Sequence, residues 1–189
     1  PQLYFTLAFS LAFGIGLFFL APAALGHLSE TLFHWNAWWG NLVEGLVRLV
    51  ILIAYIKLVS LLPEIRRVFS YHGAEHKTIH AFESGGRVDA AHAARMSRLH
   101  PRCGTTFLLF VICISIVLHA VLVPMLLALH TPQSAVTKHA LTIFFKLLLM
   151  APISALAYEL SRYAARLPEG PLAHVLRAPG LALQKLTTY

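Results

Sequence analysis

"LYFTLAFSLAFGIGLFFLAPAAL", residues 3–25, carries no charged side chain. At about 1.5 Å of rise per residue, a helix over this run is long enough to cross a hydrocarbon core of about 30 Å. Three more runs have the same character: "WWGNLVEGLVRLVILIAYIKLVSLL" (38–62), "TTFLLFVICISIVLHAVLVPMLLAL" (105–129) and "ALTIFFKLLLMAPISALAYELSRYAA" (140–165). They account for a composition that is 58% hydrophobic and 12% charged, with a mean hydropathy of +0.69. Soluble domains run nearer about 25% charged. The expected fold class is all-α: a polytopic membrane protein with four transmembrane helices and a helical cytoplasmic loop between spans two and three. One membrane domain is expected over 1–189, with the loop at 63–104 and an interfacial C-terminal segment at 166–189.

Near its end the first run contains "APA" (21–23), which resembles a signal cleavage site. It lacks a basic n-region and exceeds a typical signal core, so it is read as a retained span. A chain that begins at Pro1 is expected to continue N-terminally. Cys103 and Cys113, ten residues apart on a helix, would lie about 15 Å from each other, too far for a disulfide.

The net charge of +7 raises the question of nucleic acid, and the positions of the charges answer it. Arg66, Arg67, Lys77, Arg87, Arg95, Arg98 and Arg102 lie between spans two and three, and Arg162, Arg166, Arg177 and Lys185 follow span four. The two opposite loops offer Lys138 alone. This asymmetry is the positive-inside pattern, which places both termini and the 63–104 loop in the cytoplasm. The basic charge is then topology and contact with anionic lipid, and no nucleic-acid partner is expected.

On the other side, residues 22–37 read as a short loop whose Trp35, Trp38 and Trp39 form an interfacial belt. In the cytoplasmic loop, Pro63 at N1 opens a helix expected to end by "SGG" (84–86). A second helix is expected over 88–99. The tail after span four is broken by Pro and Gly, and reads as a short amphipathic surface helix followed by an interfacial tail. Within the spans, Glu44 and Arg48 are spaced i, i+4 and are expected to pair. Lys57 and Lys146 are expected to snorkel, and His119 to be a hydrogen-bonded core residue.

The unusual chemistry is concentrated in "YHGAEHKTIH" (71–80) and "HPRCGTT" (100–106). His72, Glu75 and His76 form H-x-x-E-H, the inverse of H-E-x-x-H. On a helix, i and i+4 bring two imidazoles to one face, from which both can reach one Zn²⁺ at about 2.0–2.1 Å. Glu75 shares that face and is the candidate general base. Ordinary interfacial histidines at a helix end are the competing reading, and Gly73 weakens the helix there. His100 and Cys103 add an H-x-x-C turn at a helix start, where orphan N–H groups and the helix dipole favour a thiolate. The expected ligand set is His72, His76, His100 and Cys103 around zinc or another transition metal, with His80 and Glu83 as alternates.

These blocks, with "ISALAYEL" and "APGLALQKLTT", resemble the YqhQ-type family of bacterial integral membrane proteins, a family of unknown function. The resemblance runs over nearly the whole chain. It implies a bacterial inner-membrane location and a metal-dependent protein. Its signature positions fall on Tyr71, His72, Glu75, His76, Lys77, Glu83, His100, Arg102 and Cys103, and in the membrane on Glu44, Arg48, Tyr158 and Glu159. The family pattern also includes a preceding soluble segment with Gly-Gly-x-Ala-Val-x-x-Gly-Val-Met-Met-Arg and a continuation past "LTT", which this sequence does not contain. Two functions fit: a metal-dependent hydrolase at the cytoplasmic face, or a non-enzymatic scaffold, translocation or assembly partner, or small channel with a structural metal. Besides the lipid bilayer, a second copy or another membrane protein is the expected kind of partner.

Overall fold

The structure is a computed structural model that describes residues 2–189. Those residues are 84% helical, without strands. The helices are α1 (Gln2–Ile15), a π-helical turn (Gly16–Leu20), α2 (Ala21–Phe33), α3 (Ala37–Val59), α4 (Pro63–Glu83), α5 (Ala90–Ala94), α6 (Gly104–His130), α7 (Ala135–Arg166) and α8 (Pro171–Thr187). Three uninterrupted runs are long and apolar enough to cross a membrane: Gln2–Phe33, Gly104–His130 and Ala135–Arg166. A fourth is reached if α3 and α4, which meet at 101°, are one broken span. The chain forms two compact units, one of Pro1–Leu52 and Ile112–Ala155, the other of Ile53–Val111 and Leu156–Tyr189.

In the first unit, the long N-terminal helix buries only Pro22, Gly26 and Ser29. Their spacing of i, i+4, i+7 is one helical stripe, and small residues there let helices approach closely. A Cβ on Gly26 would stand 3.0 Å from both the Glu44 Cβ and the Gly40 carbonyl. The segment expected as a loop at 22–37 is mostly helix. Only 34–36 are non-helical, and His34 ends α2 at φ 52°.

Beside that stripe, Arg48 donates to Glu44 at 2.8 Å, as the spacing predicts. The expectation for Lys146 fails: it does not snorkel but donates to the other Glu44 oxygen at 2.6 Å. Sequence spacing does not reveal a partner on another helix, and a buried carboxylate is a stronger attractor than a distant interface. Arg48 Nε also donates to the Phe18 carbonyl at 3.0 Å. Pro22 has no N–H to donate back along the helix, and the guanidinium adds a donor to the carbonyl four residues before it. His119 is buried, but its Nε2 has no hydrogen-bond partner among the described residues.

The second unit is organised by α4. Extended Leu62 and Pro63 at N1 start it, and Glu64 sits in its first turn where the dipole favours a carboxylate. The helix expected over 88–99 is shorter, Ala90–Ala94, capped by Asp89 accepting from the His92 N–H at 2.8 Å. The short surface helix followed by a tail, expected after span four, is instead one helix: α8 is continuous through Pro179 and buries Ala173, Gly180, Leu183, Gln184 and Thr187. Close packing offsets the hydrogen bond that Pro179 removes. A Cβ on Gly180 would fall 2.4 Å from Thr106 Cγ2, so only glycine fits.

Candidate metal centre

One face of α4 carries His72, His76, His80 and Glu83, at i, i+4, i+8 and i+11. The segment 98–103 lies along this face, and its backbone carbonyls set the ring orientations. His76 Nδ1–H donates to the Arg98 carbonyl at 2.7 Å, and His80 Nε2–H to that of Leu99 at 2.9 Å. On the other flank, His72 Nδ1–H donates to the Thr187 carbonyl at 2.9 Å. A carbonyl only accepts, so the ring proton of each neutral imidazole is assigned. His72 and His76 are left with lone pairs at Nε2.

Both rings form a compact group with Cys103. The ligand atoms of His72, His76 and Cys103 all lie within 4.8 Å of one another, and His72 Nε2 is 3.3 Å from Cys103 Sγ. Two donors on one tetrahedral zinc stand roughly 3.5 Å apart, given bonds of about 2.0–2.3 Å. The donor set therefore fits a zinc-sized ion with little closure. An Nδ1–H bonded to a carbonyl is also the usual support behind a metal-ligating histidine.

His80, Glu83 and His100 form a second group of the same compactness. Its hydrogen bonding is different. The Arg102 N–H donates to His100 Nδ1 at 3.2 Å, so the neutral ring carries its proton on Nε2, 3.3 Å from Glu83 Oε2. Arg102 holds the other Glu83 oxygen at 2.6 Å. This group is satisfied by its own contacts, and His100 would have to lose the Nε2 proton to bind a metal there. Of the four ligands expected from sequence, three are thus brought together, and His100 falls in the neighbouring group, its ring 5.8 Å from that of His76. Glu75 is exposed and lines the same cavity of about 360 Å³ as His72, His76, Glu83, His100 and Cys103.

Burial shifts two of the histidines. His76 and His100 are 4% and 5% exposed, and desolvation pushes both below the ordinary value of 6.5. The Arg98 carbonyl opposes this at His76, and the Glu83 carboxylate opposes it at His100. Both rings are therefore neutral at neutral pH, the form that has a lone pair to offer.

Three residues outside the expected ligand set position this site. Gln184, fully buried, accepts from the His100 N–H and donates to its carbonyl, both at 2.8 Å, and also reaches Thr106 Oγ1 at 2.9 Å. Thr187 contributes its carbonyl to His72. Gly73 is there because the C-terminal backbone passes over it: a Cβ would stand 2.4 Å from the Tyr189 carbonyl oxygen. The Tyr189 N–H meanwhile donates to the Phe69 carbonyl at 3.1 Å. The remaining signature residues brace the surroundings. Lys77 donates to the Ala94 carbonyl at 3.1 Å, and Tyr71 and Tyr158 are exposed. Glu159, also exposed, pairs with Arg162 at 3.5 Å.

A family model for a protein of unknown function, DUF1385, matches residues 1–189. The chain belongs to that family. It is 32% identical over 179 residues to the uncharacterized protein YqhQ of Bacillus subtilis (strain 168), an overlap of 95% of this chain and 52% of the relative. The chain therefore spans about half the length of this curated relative. No solved structure matches it.

Proposed function

We propose that the chain is a multi-pass protein of the bacterial inner membrane, with both termini and the 63–104 segment in the cytoplasm, and that it works as a metal-dependent hydrolase. The observation that carries the reading is the pair of Nδ1–H to carbonyl bonds at His72 and His76, which leave a lone pair at each Nε2 in a compact group with Cys103 that lines an accessible cavity. Headgroup-solvating histidines would not need their tautomers set by buried carbonyls. Three protein donors and an open side suit a catalytic zinc, whereas a structural zinc is closed by four. When bound, such an ion supplies Lewis acidity and makes water a nucleophile near neutral pH. Glu75, in the same cavity, accepts a proton from water. Thr187 and Arg98 hold the rings, Gln184 fixes the backbone at His100, and Arg102 holds Glu83.

Elemental analysis of protein purified without added chelator tests the centre. Wild type should carry about one equivalent of transition metal, and Cys103→Ser or His76→Ala much less. A metal-free wild type with intact fold would defeat the proposal. The donors also tie α4 to segment 98–103, and the Thr187 carbonyl joins the C-terminal segment to His72, which favours a second reading, a structural staple in a scaffold. Glu75→Gln separates the two: it should abolish turnover while metal content stays constant in the hydrolase, and change nothing in the scaffold.

A further inference from the structure

A second cavity, of about 590 Å³, shares Arg102, Cys103 and Gly104 with the histidine cavity but has the opposite character. The rest of its lining is one face of α7 together with Phe107. Tyr158, Ser161, Arg162, Ala165 and Arg166 follow i, i+3, i+4, i+7 and i+8. Three arginines line it and no carboxylate does. Arg162 and Arg166 are like charges one turn apart, an arrangement that repels unless an anion joins them. Arg102 is engaged by Glu83, and Arg162 reaches Glu159 only at 3.5 Å on an exposed surface. The Arg166 side chain has no ion pair or hydrogen bond among the described residues.

We propose that this basic cavity binds the phosphate group of a membrane amphiphile, the substrate class of the neighbouring centre. Guanidinium forks match phosphate oxygens two at a time, which a lysine cannot do. Gly104 begins α6 in the wall shared by both cavities, so the helix dipole adds to the arginines there. The amphiphile, as opposed to a free phosphate, follows from position along the chain. The lining comes from the first turn of α6 and the last turns of α7, the ends at which two candidate spans leave their apolar runs. A phosphate there can keep its acyl chains beside those spans. In hydrolysis, water would add its oxygen to phosphorus as the ester P–O bond breaks; Glu75 would take one water proton and pass it to the leaving ester oxygen, and the other would stay on the phosphate. That chemistry rests on the hydrolase reading, whereas binding by the arginines needs no metal.

The test is binding to detergent-solubilised full chain, followed by native mass spectrometry and tryptophan fluorescence. The probes are dioctanoyl phosphatidic acid, dioctanoyl phosphatidylcholine and inorganic phosphate. Phosphatidic acid should bind at least tenfold more tightly than either of the others. The double variant Arg162→Gln/Arg166→Gln should lose at least tenfold in affinity, with metal content and melting temperature unchanged. Ala165→Trp should block the cavity without altering charge, and weaken binding to a similar degree. Equal binding by wild type and both variants would overturn the proposal. Inorganic phosphate binding as tightly as phosphatidic acid would overturn the amphiphile. His76→Ala should lose metal yet bind phosphatidic acid as wild type does, so that a failed metal centre and a failed phosphate site give different results.

Discussion

Two clusters of polar side chains interrupt this apolar chain, and they are satisfied in different ways. In the first unit, the Glu44 carboxylate is shared by Arg48 and Lys146 through short ion pairs, and the Phe18 carbonyl accepts from the Arg48 Nε–H. In the second unit, the histidines are held by neutral hydrogen bonds to carbonyls, and two nitrogens and a sulfur are left facing a cavity. The first arrangement uses its polar groups on itself. The second holds back donors in a fixed orientation, which is what a ligand site needs. Polarity inside an apolar protein is therefore no guide to function until the hydrogen bonds are traced.

The comparison is broken most forcefully at Glu44. Glu44→Gln leaves Arg48 and Lys146 as two cations without a counter-charge in a poorly solvated setting, and removing one partner of such a pair costs about 3–5 kcal/mol. Glu44→Gln combined with Lys146→Met should recover part of that loss. Melting temperatures in detergent decide it, with metal content unchanged in every variant. A loss for the double variant equal to the sum of the single losses would show that the three do not act as a unit.

Next in size is Gln184. Gln184→Leu leaves the His100 N–H and carbonyl buried without partners, at roughly 1–3 kcal/mol for each such group. The turn carrying Cys103 loses its anchor, so zinc affinity should fall by about 10–100-fold, as for other residues that support metal ligands. Chelator competition measures this. Unchanged affinity would place Gln184 in the packing alone.

A subtler contrast comes from pH. His76 and His100 titrate below 6.5 because they are buried, so the metal-free fold is destabilised when they are forced to protonate. Their contribution is fully present above about pH 6.5 and is lost as pH falls through the lowered folded-state values. Denaturant midpoints of metal-free protein should be flat from pH 8 to 7 and drop below 6.5. His76→Gln should shrink the drop, and a variant with the same profile as wild type would refute the assignment.

What could be read from sequence follows the range of each interaction. Apolar runs, the i, i+4 pair of Glu44 and Arg48, and the histidine ladder are local, so periodicity exposes them. Lys146 on Glu44, Gln184 on His100 and Thr187 on His72 join residues 102, 84 and 115 positions apart, and nothing local marks the pairing. The assignment of His100 to Glu83 rather than to Cys103 depends on an Arg102 N–H, a backbone detail below the resolution of any spacing rule. Continuity of α8 through Pro179 was equally hidden, since it depends on Gly180 meeting Thr106.

The smallest expected effect is the most discriminating, because two contributions oppose each other at Gly73. In an exposed helix, Gly→Ala is stabilising by about 1 kcal/mol, through helix propensity alone. Here the added methyl would meet the Tyr189 carbonyl oxygen at 2.4 Å, a backbone atom with no rotamer to move. The C-terminal backbone must then lift from α4, straining the Tyr189 to Phe69 bond and, through Thr187, the bond that fixes the His72 ring. Gly73→Ala should leave melting temperature within a few degrees of wild type, as the gain and the strain nearly cancel. Metal affinity has no such compensation and should fall severalfold, because His72 loses its orientation. Ala74→Gly, one position along on an exposed face, should do the reverse: a lower melting temperature with metal affinity intact. If Gly73→Ala raises stability and leaves metal binding untouched, the C-terminus does not hold His72, and the lone pair at its Nε2 loses its structural support.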